Sequence, residues 1–101
     1  MGAALECADG TIFTGCNVEN AAYGDTMCAE RTAVFKAVSE GHRSFVRIAI
    51  WGNSRDFCYP CGSCRQVLSE FAKEMTVICG RGDGAWMSAR LTEMMPFSFD
   101  F

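Results

Sequence analysis

The sequence predicts an α/β domain in which helices are layered on a mixed sheet, in the order β-β-α-β-α-β-β. Three observations indicate this class. Residues 45–51 form a nearly continuous apolar run, which is typical of a central strand covered on both faces. An Asp-Gly pair separates two strand-like runs near the start of the chain. Two segments with helical periodicity follow, and each leads into a strand.

The first two strands are predicted to form a hairpin. Residues 3–8 lean apolar, and residues 11–18 begin with β-branched and aromatic side chains that suit a strand. Asp9 and Gly10 lie between these runs, and both tolerate the positive φ that a tight hairpin turn requires.

Two helices are predicted over residues 28–40 and 60–74. We expect Thr26 to cap the first helix, because its hydroxyl can accept from an orphan backbone N–H, and Gly41 to end it in a left-handed conformation. Pro60 suits the first helical position of the second helix, where its missing N–H is not needed.

The remaining strands complete a sheet of five. Residues 45–51 are expected in its centre, residues 75–79 follow the second helix, and residues 85–91 form the last strand. The link at residues 80–84 is too short for a crossover helix, so the last two strands should pair antiparallel. Residues 92–95 suit one helical turn.

Length and charge limit the classes of function. The 101 residues, of which 50% are hydrophobic, suit a single domain spanning residues 1–101 with some apolar surface covered by another subunit. The net charge of −3 argues against a nucleic-acid partner, which normally requires a clustered positive face. No apolar stretch approaches the roughly 20 residues that span a bilayer, and no signal-peptide pattern is present, so we expect a soluble cytoplasmic protein without a membrane partner.

Three of the seven cysteines predict a metal site. Cys61 and Cys64 are three apart at the start of one predicted helix, and Cys28 opens the other. Three thiolates can bind one Zn²⁺ per chain and leave its fourth tetrahedral position open for water. Glu30 could then move protons between that water and a substrate, and Arg31 could offset the excess negative charge by hydrogen-bonding a sulfur.

Two alternatives remain open on the residues alone. Cys58 extends the pattern to C-x2-C-x2-C, so Cys58 could complete a closed four-cysteine zinc site or an iron–sulfur cluster with the other three thiols. Glu30 could be an ordinary solvated acid of the first helical turn, because residues two apart in a helix point to nearly opposite sides and Cys28 would then face away from it.

The sequence resembles the small, homotetrameric, zinc-dependent cytidine deaminases of pyrimidine salvage. The resemblance covers nearly the whole chain, and its most specific motifs are Cys28-Ala29-Glu30-Arg31, Pro60-Cys61-Gly62-Ser63-Cys64-Arg65-Gln66 and Gly15-Cys16-Asn17-Val18-Glu19-Asn20-Ala21. It implies a layered α/β/α domain with a mixed five-stranded sheet. The first helix of the family is missing here, because Met1 stands where the family has the Val of a Val-Gly-Ala-Ala-Leu run. The chain would therefore be a truncated or naturally short member.

The resemblance also implies an activity. The reaction would be the hydrolysis of cytidine or deoxycytidine to uridine or deoxyuridine through a zinc-activated water, with Zn²⁺ held by the three thiolates and Glu30 as the proton carrier. Asn17 and Glu19 would bind the ribose hydroxyls and backbone groups at Ala29 the base. Tyr23 would lie near a subunit interface and the pocket.

Further expectations concern the assembly of subunits, alternative functions and Arg65. Phe99 would close over the base in the pocket of a neighbouring subunit of a homotetramer or dimer. An aminonucleoside-antibiotic deaminase of the blasticidin type is the alternative enzyme, and a catalytically impaired, zinc-stabilised subunit or fragment is the alternative outside catalysis. Arg65 is interpreted as a residue that offsets charge near the metal or lies at an interface.

Overall fold

The computed structural model describes residues 1–99 and confirms a mixed five-stranded sheet with two α-helices. The elements are β1 (Gly2–Cys7), β2 (Ile12–Cys16), α1 (Ala29–Ser39), β3 (Phe45–Trp51), α2 (Gly62–Phe71), β4 (Thr76–Gly80) and β5 (Trp86–Arg90). Short 3-10 helices cover Tyr23–Asp25 and Leu91–Met94. The strands lie in the order β2-β1-β3-β4-β5, and among these described strands only β3 and β4 pair in parallel.

The hairpin, the central position of β3 and the last antiparallel pair agree with the sequence pattern. The expected cover on both faces of β3 is wrong for the described chain, because Val46 and Trp51 are exposed. Gly10 has φ +90°, as the predicted turn requires, and β1 pairs with β2 so that Leu5 lies opposite Phe13. On its other edge β1 pairs with β3, where Leu5 lies opposite Ile48. The parallel β3–β4 pair needs a crossover, and α2 supplies it.

The core lies between one face of the sheet and the helices. The side chains of β1, β3 and β4 that point to this face are buried, whereas their neighbours on the other face are more accessible, as the period of two requires. Helix α1 packs on β1, β2 and β3, and α2 packs against α1. The buried set from sheet and helices includes Ala3, Leu5, Cys7, Ala33, Val34, Ala37, Ile48, Ile50, Leu68, Val77 and Cys79.

Gly15 permits a close approach between β2 and the first turn of α1. A Cβ at this position would lie 2.5 Å from the carbonyl oxygen of Ala29 and 2.6 Å from the nitrogen of Ala33, which no real side chain allows. The absence of a side chain at Gly15 therefore sets the distance between the sheet and the start of α1.

The predicted helix starts are wrong at both helices. Cys28, with φ −75° and ψ 153°, is the N-cap of α1, and Thr26 instead accepts a hydrogen bond from the nitrogen of Asn20 at 3.2 Å. Pro60 precedes the cap of α2, because the Sγ of Cys61 accepts a hydrogen bond from the nitrogen of Cys64 at 3.5 Å and takes the capping position.

The ends of the elements also differ from the expected bounds. Helix α2 ends at Phe71 rather than at residue 74, and β2 ends at Cys16 rather than at residue 18. The predicted end of α1 is correct, since Gly41 has φ +89° directly after the C-cap. Neither α-helix within residues 1–99 has the length and apolar character needed to cross a bilayer.

Candidate active site

Three thiols meet where the two helices begin. Cys28 directly precedes α1, Cys61 directly precedes α2, and Cys64 lies in the first turn of α2. The Sγ of Cys61 is 3.9 Å from that of Cys28 and 3.4 Å from that of Cys64, and all three sulfurs lie within 4.8 Å of one another. The cluster predicted from the sequence is therefore confirmed as a set that can hold a metal ion.

The donor set and its spacing fit Zn²⁺. Three sulfurs that each lie about 2.3 Å from one tetrahedral zinc are about 3.8 Å apart, close to the separations observed here. Among the described residues no fourth Cys, His, Asp or Glu joins this cluster, and Cys58 is buried outside it. The arrangement thus favours an open three-cysteine site over the closed four-cysteine alternative.

The three thiols have unequal electrostatic surroundings. Burial raises the pKa of Cys64, and the hydrogen bond with Cys61 and the charge of Glu30 raise it further. Burial also opposes ionisation of Cys61, but hydrogen bonds from the backbone and side chain of Cys64, and from Cys28 and the backbone of Ser63, lower its pKa overall. The surroundings therefore oppose ionisation of the buried Cys64 and favour that of Cys61.

Arg31 supplies a positive charge next to the cluster. Its Nη2 donates to the Sγ of Cys28 at 3.4 Å, and this hydrogen bond is the main cause of the raised pKa of Arg31. The structure thus places the guanidinium where the sequence analysis expected it. Arg31 lies in the first turn of α1, directly after the Cys28 cap, and its long side chain reaches back to the sulfur.

Glu30 is buried beside the thiols and has an unpartnered oxygen. Its side chain is 3% exposed, and its Oε1 has no hydrogen-bond partner among the described residues. An unpaired buried carboxylate oxygen is costly, so its presence marks a place where another group binds. Glu30 and Cys28 border the same cavity because Cys28 is an extended cap residue, to which helical spacing does not apply.

A cavity of about 310 Å³ opens over Glu30 and the sulfurs of Cys28 and Cys61. Its size suits a small organic ligand, since such sites measure about 300–1,000 Å³. The predicted binding residues Asn17, Glu19 and Ala29 line it. The sequence did not predict the other lining residues, which are Met1, Thr26, Met27 and Tyr59. Of these only Tyr59 carries a signal, since it is an aromatic residue two positions before Cys61.

A short backbone pairing brings Asn17 and Glu19 to this cavity. Val18 and Met27 form an isolated antiparallel bridge in which each nitrogen donates to the other residue's carbonyl at 2.8 Å. Because the segment is extended at this point, the side chains of residues 17 and 19 lie on the same side of it. The bridge thus sets both polar groups next to Cys28, one residue after Met27.

Two predicted site residues do not border the cavity of their own chain within the part that the structure describes. Tyr23, which is 90% exposed, lines a neighbouring depression with Glu19 and Thr26. Phe99 is exposed and is absent from the lining of the cavity. Its expected place is in the pocket of another subunit, so this role stays a prediction.

Comparisons with known proteins converge on one family. Residues 1–80 match the family model described as cytidine and deoxycytidylate deaminase zinc-binding region. The chain is 46% identical over 100 residues to a cytidine deaminase of Sporosarcina psychrophila, covering 98% of this chain and 74% of that protein. It is also 37% identical over 99 residues to a cytidine deaminase of Mycobacterium tuberculosis, covering 98% and 71% of the two chains.

Solved structures show the same similarity in three dimensions. The crystal structure of cytidine deaminase from Burkholderia pseudomallei superposes with a TM-score of 0.93 at 42% identity, over 97% of this chain and 80% of that one. The crystal structure of cytidine deaminase from Mycobacterium tuberculosis gives a TM-score of 0.79 at 33% identity, over 99% and 78% of the two chains.

Proposed function

The chain belongs to the cytidine and deoxycytidylate deaminase family, and from this premise we propose that it hydrolyses cytidine or deoxycytidine to the corresponding uridine and ammonia. The observation that carries the proposal is the position of a buried, unpartnered Glu30 oxygen beside three convergent thiols in a cavity of about 310 Å³. A proton carrier next to an open metal site is the arrangement that hydrolytic deamination requires.

Cys28, Cys61 and Cys64 would hold the Zn²⁺ of this zinc-binding family. When bound, the ion supplies the Lewis acidity that makes water a nucleophile near neutral pH. Three thiolates around a dication leave one net negative charge, which weakens that acidity. The guanidinium of Arg31 offsets part of this charge through its contact with the Sγ of Cys28.

Glu30 carries the protons of the reaction. Its carboxylate accepts the proton that the attacking water loses as the new bond to C4 of the pyrimidine forms, and gives this proton to the ring nitrogen N3. Glu30 then transfers the remaining proton of the new C4 hydroxyl to the departing nitrogen, and the C4–N bond breaks as the C4 carbonyl forms, so that ammonia leaves. Burial keeps the carboxylate away from bulk water, so it exchanges protons with the substrate in preference to solvent.

The other cavity residues bind the nucleoside. The amide of Asn17 and the carboxylate of Glu19 line the cavity and offer donors and acceptors for the ribose hydroxyls, and the Oδ1 of Asn17 also accepts a hydrogen bond from the nitrogen of Met1 at 2.9 Å. Backbone groups at the buried Ala29 contact the base beside Glu30. Sugar and base are thereby held with C4 towards the thiols, which supports a nucleoside rather than a free base as substrate.

The proposal extends to the setting of the enzyme. We infer a single cytoplasmic deaminase domain of pyrimidine salvage that assembles as a homotetramer, with Tyr23 near an interface and Phe99 reaching the pocket of a neighbour. All seven cysteines are free thiols, which suits a reducing compartment. Phe99 is largely exposed in the single chain. Light scattering after gel filtration tests the assembly, and a monodisperse monomer would contradict shared pockets.

The reaction is tested by following the ultraviolet change of cytidine with wild type and Glu30→Gln, each with its zinc content measured. We expect one zinc in both proteins and turnover only in the wild type. Blasticidin S, assayed in parallel, identifies the antibiotic deaminase if it is the better substrate. A zinc-loaded wild type that converts neither compound would refute the proposal and support the inert subunit.

A further inference from the structure

Arg65 joins the metal-binding segment to the C-terminal part of the chain. Its Nε donates to the carbonyl oxygen of Pro60 at 2.8 Å, and its Nη1 donates to the carbonyl oxygen of Met94 at 2.8 Å. Pro60 directly precedes the thiol residue Cys61, and Met94 ends the 3-10 helix Leu91–Met94. The guanidinium is part-buried between these two segments.

We propose that Arg65 is a positioning residue for the zinc ligand Cys61, acting through the backbone of Pro60. The inference rests on the proposed zinc site, and it assigns to Arg65 a role other than the offset of charge or the interface contact that the sequence suggested. The guanidinium contacts two carbonyl oxygens, and it fixes the peptide that leads into Cys61.

The backbone of Pro60 has few other ways to be held. Proline lacks an N–H, so its carbonyl is the only backbone group through which hydrogen bonds can restrain it. Pro60 is fully buried, and a buried carbonyl without a hydrogen-bond partner is costly. The hydrogen bond from Arg65 gives the carbonyl of Pro60 that partner. Before Pro60, the nitrogen of Tyr59 donates only to the nearby carbonyl of Phe57 at 3.0 Å, and the bond that ties this segment to the sheet runs from the nitrogen of Cys58 to the carbonyl of Gly80 at 2.9 Å.

Cys61 depends on this restraint more than the other thiols do. Cys64 lies within α2 and is fully buried, so packing fixes it, whereas Cys61 is exposed and lies in extended backbone with φ −68° and ψ 170°. A rotation of the Pro60–Cys61 peptide would move the Sγ of Cys61 away from the other two sulfurs. The Arg65 bond opposes this rotation.

The second bond explains why the residue is an arginine. The carbonyls in the last turn of a helix have no partner within it, so that of Met94 is free to accept from Arg65. The helix that bears Met94 is anchored by Leu91, which is fully buried. A planar guanidinium can bond both carbonyls in one geometry, whereas a lysine ammonium on its flexible stem holds such a pair poorly.

The test measures how fast the zinc-loaded protein loses its metal to an excess of a chromogenic chelator, with circular dichroism confirming the native fold. We expect Arg65→Gln to release zinc about 10-fold or more faster than wild type, as loss of a supporting contact around a metal site typically does, and Arg65→Lys to fall between. Arg47→Gln is the matched control, since Arg47 pairs with Glu6 at 3.1 Å on β1 and β3. It should release zinc at the wild-type rate.

A second control separates positioning from general stability. Ile48→Val shortens a fully buried side chain of β3 and should lower the melting temperature without changing zinc release well below it. Zinc release from Arg65→Gln at the wild-type rate, or equal acceleration by Ile48→Val, would overturn the inference while the zinc site stands. A wild type that binds no zinc would instead refute the proposed function, and the inference with it. If Arg65→Gln does not fold, the comparison between Arg65→Lys and wild type decides.

Discussion

The Nη2 of Arg31 lies 3.4 Å from the Sγ of Cys28, so a full positive charge contacts one of the three thiols directly. The charge also opposes part of the rise in the pKa of Cys64 that burial causes, and the pKa of Arg31 is raised in return, mainly by the hydrogen bond with Cys28. The contact connects two parts of the chemistry. It favours the ionised thiols that bind metal, and it reduces the negative charge that would make bound water less acidic.

Replacing Arg31 by alanine should therefore weaken both zinc retention and catalysis. We expect an affinity for zinc about 10-fold lower, because the guanidinium no longer offsets the charge of the thiolates. Competition with a chelator of known affinity measures this change. The control is Arg90→Ala, which removes an exposed arginine of β5 whose Nη1 lies 3.7 Å from the Oε2 of Glu74. This variant should bind zinc as the wild type does. An Arg31→Ala protein with unchanged affinity and turnover would remove this role.

The prediction for Glu19 concerns the sugar. Glu19→Gln keeps the shape of the side chain but removes the charge that would strengthen the proposed hydrogen bond to a ribose hydroxyl. A hydrogen bond with one charged partner is worth about 1.5–3 kcal/mol. We expect KM for cytidine to rise about 10-fold or more, with kcat less affected.

The control for Glu19 is a substrate without the hydroxyls. On 2′,3′-dideoxycytidine the wild type and Glu19→Gln should differ little, since neither can make the bond, and this double comparison isolates the contact. The same loss on both substrates would show that Glu19 acts on the fold of the cavity rather than on the sugar.

The sequence could predict those elements whose signals are local. The Asp9-Gly10 turn, the apolar strand β3 and the left-handed end of α1 at Gly41 depend on neighbouring residues, and each agrees with the structure. The starts of the helices could not be placed in the same way. Thr26 and Pro60 carry ordinary start signals, but the structure gives the cap positions to Cys28 and Cys61.

The site shows the same division. Cys61 and Cys64 are three apart at the start of a helix, so their proximity could be predicted, although Cys61 reaches Cys64 as the cap residue rather than as part of the first turn. The approach of Glu30 to the sulfurs could not, because it depends on the extended backbone of Cys28, where helical geometry predicts the opposite side. The Val18–Met27 bridge, which brings Asn17 and Glu19 to the cavity, could not be predicted either, because no local sequence signal indicates it.

The buried thiol of Cys79 should make the protein less stable at high pH. It is fully buried in β4, and burial, together with the charge of Cys58, raises its pKa to about 11 from an ordinary value of 9.0. Below pH 9 the thiol is protonated in both states, so its contribution is complete. Between pH 9 and 11 the unfolded chain ionises while the folded one does not, and the free energy of unfolding falls by up to about 1.4 kcal/mol per pH unit.

Urea unfolding at pH 7.5, 9 and 10.5 measures this effect. Cys79→Ala should be less stable than wild type at pH 7.5, because it leaves a small cavity, but its stability should fall less between pH 9 and 10.5. Cys16→Ala, at an exposed position of β2, should show the wild-type dependence. Equal slopes for wild type and Cys79→Ala would show that other groups cause the loss.

A methyl group added at Gly15 should disturb the metal site, although Gly15 does not itself belong to that site. In Gly15→Ala the new Cβ would lie 2.5 Å from the carbonyl of Ala29 and 2.6 Å from the nitrogen of Ala33, both of them backbone atoms that cannot rotate away. Helix α1 must therefore shift, which should lower the free energy of unfolding by about 1–3 kcal/mol. Cys28 and Glu30, at the start of this helix, shift with it. We expect a lower melting temperature and also faster zinc release at temperatures where the variant is folded. Gly24→Ala, where a Cβ meets nothing within 4 Å, should change neither. A destabilised Gly15→Ala that keeps the wild-type rate of zinc release would show that the start of α1 does not transmit the shift to Cys28.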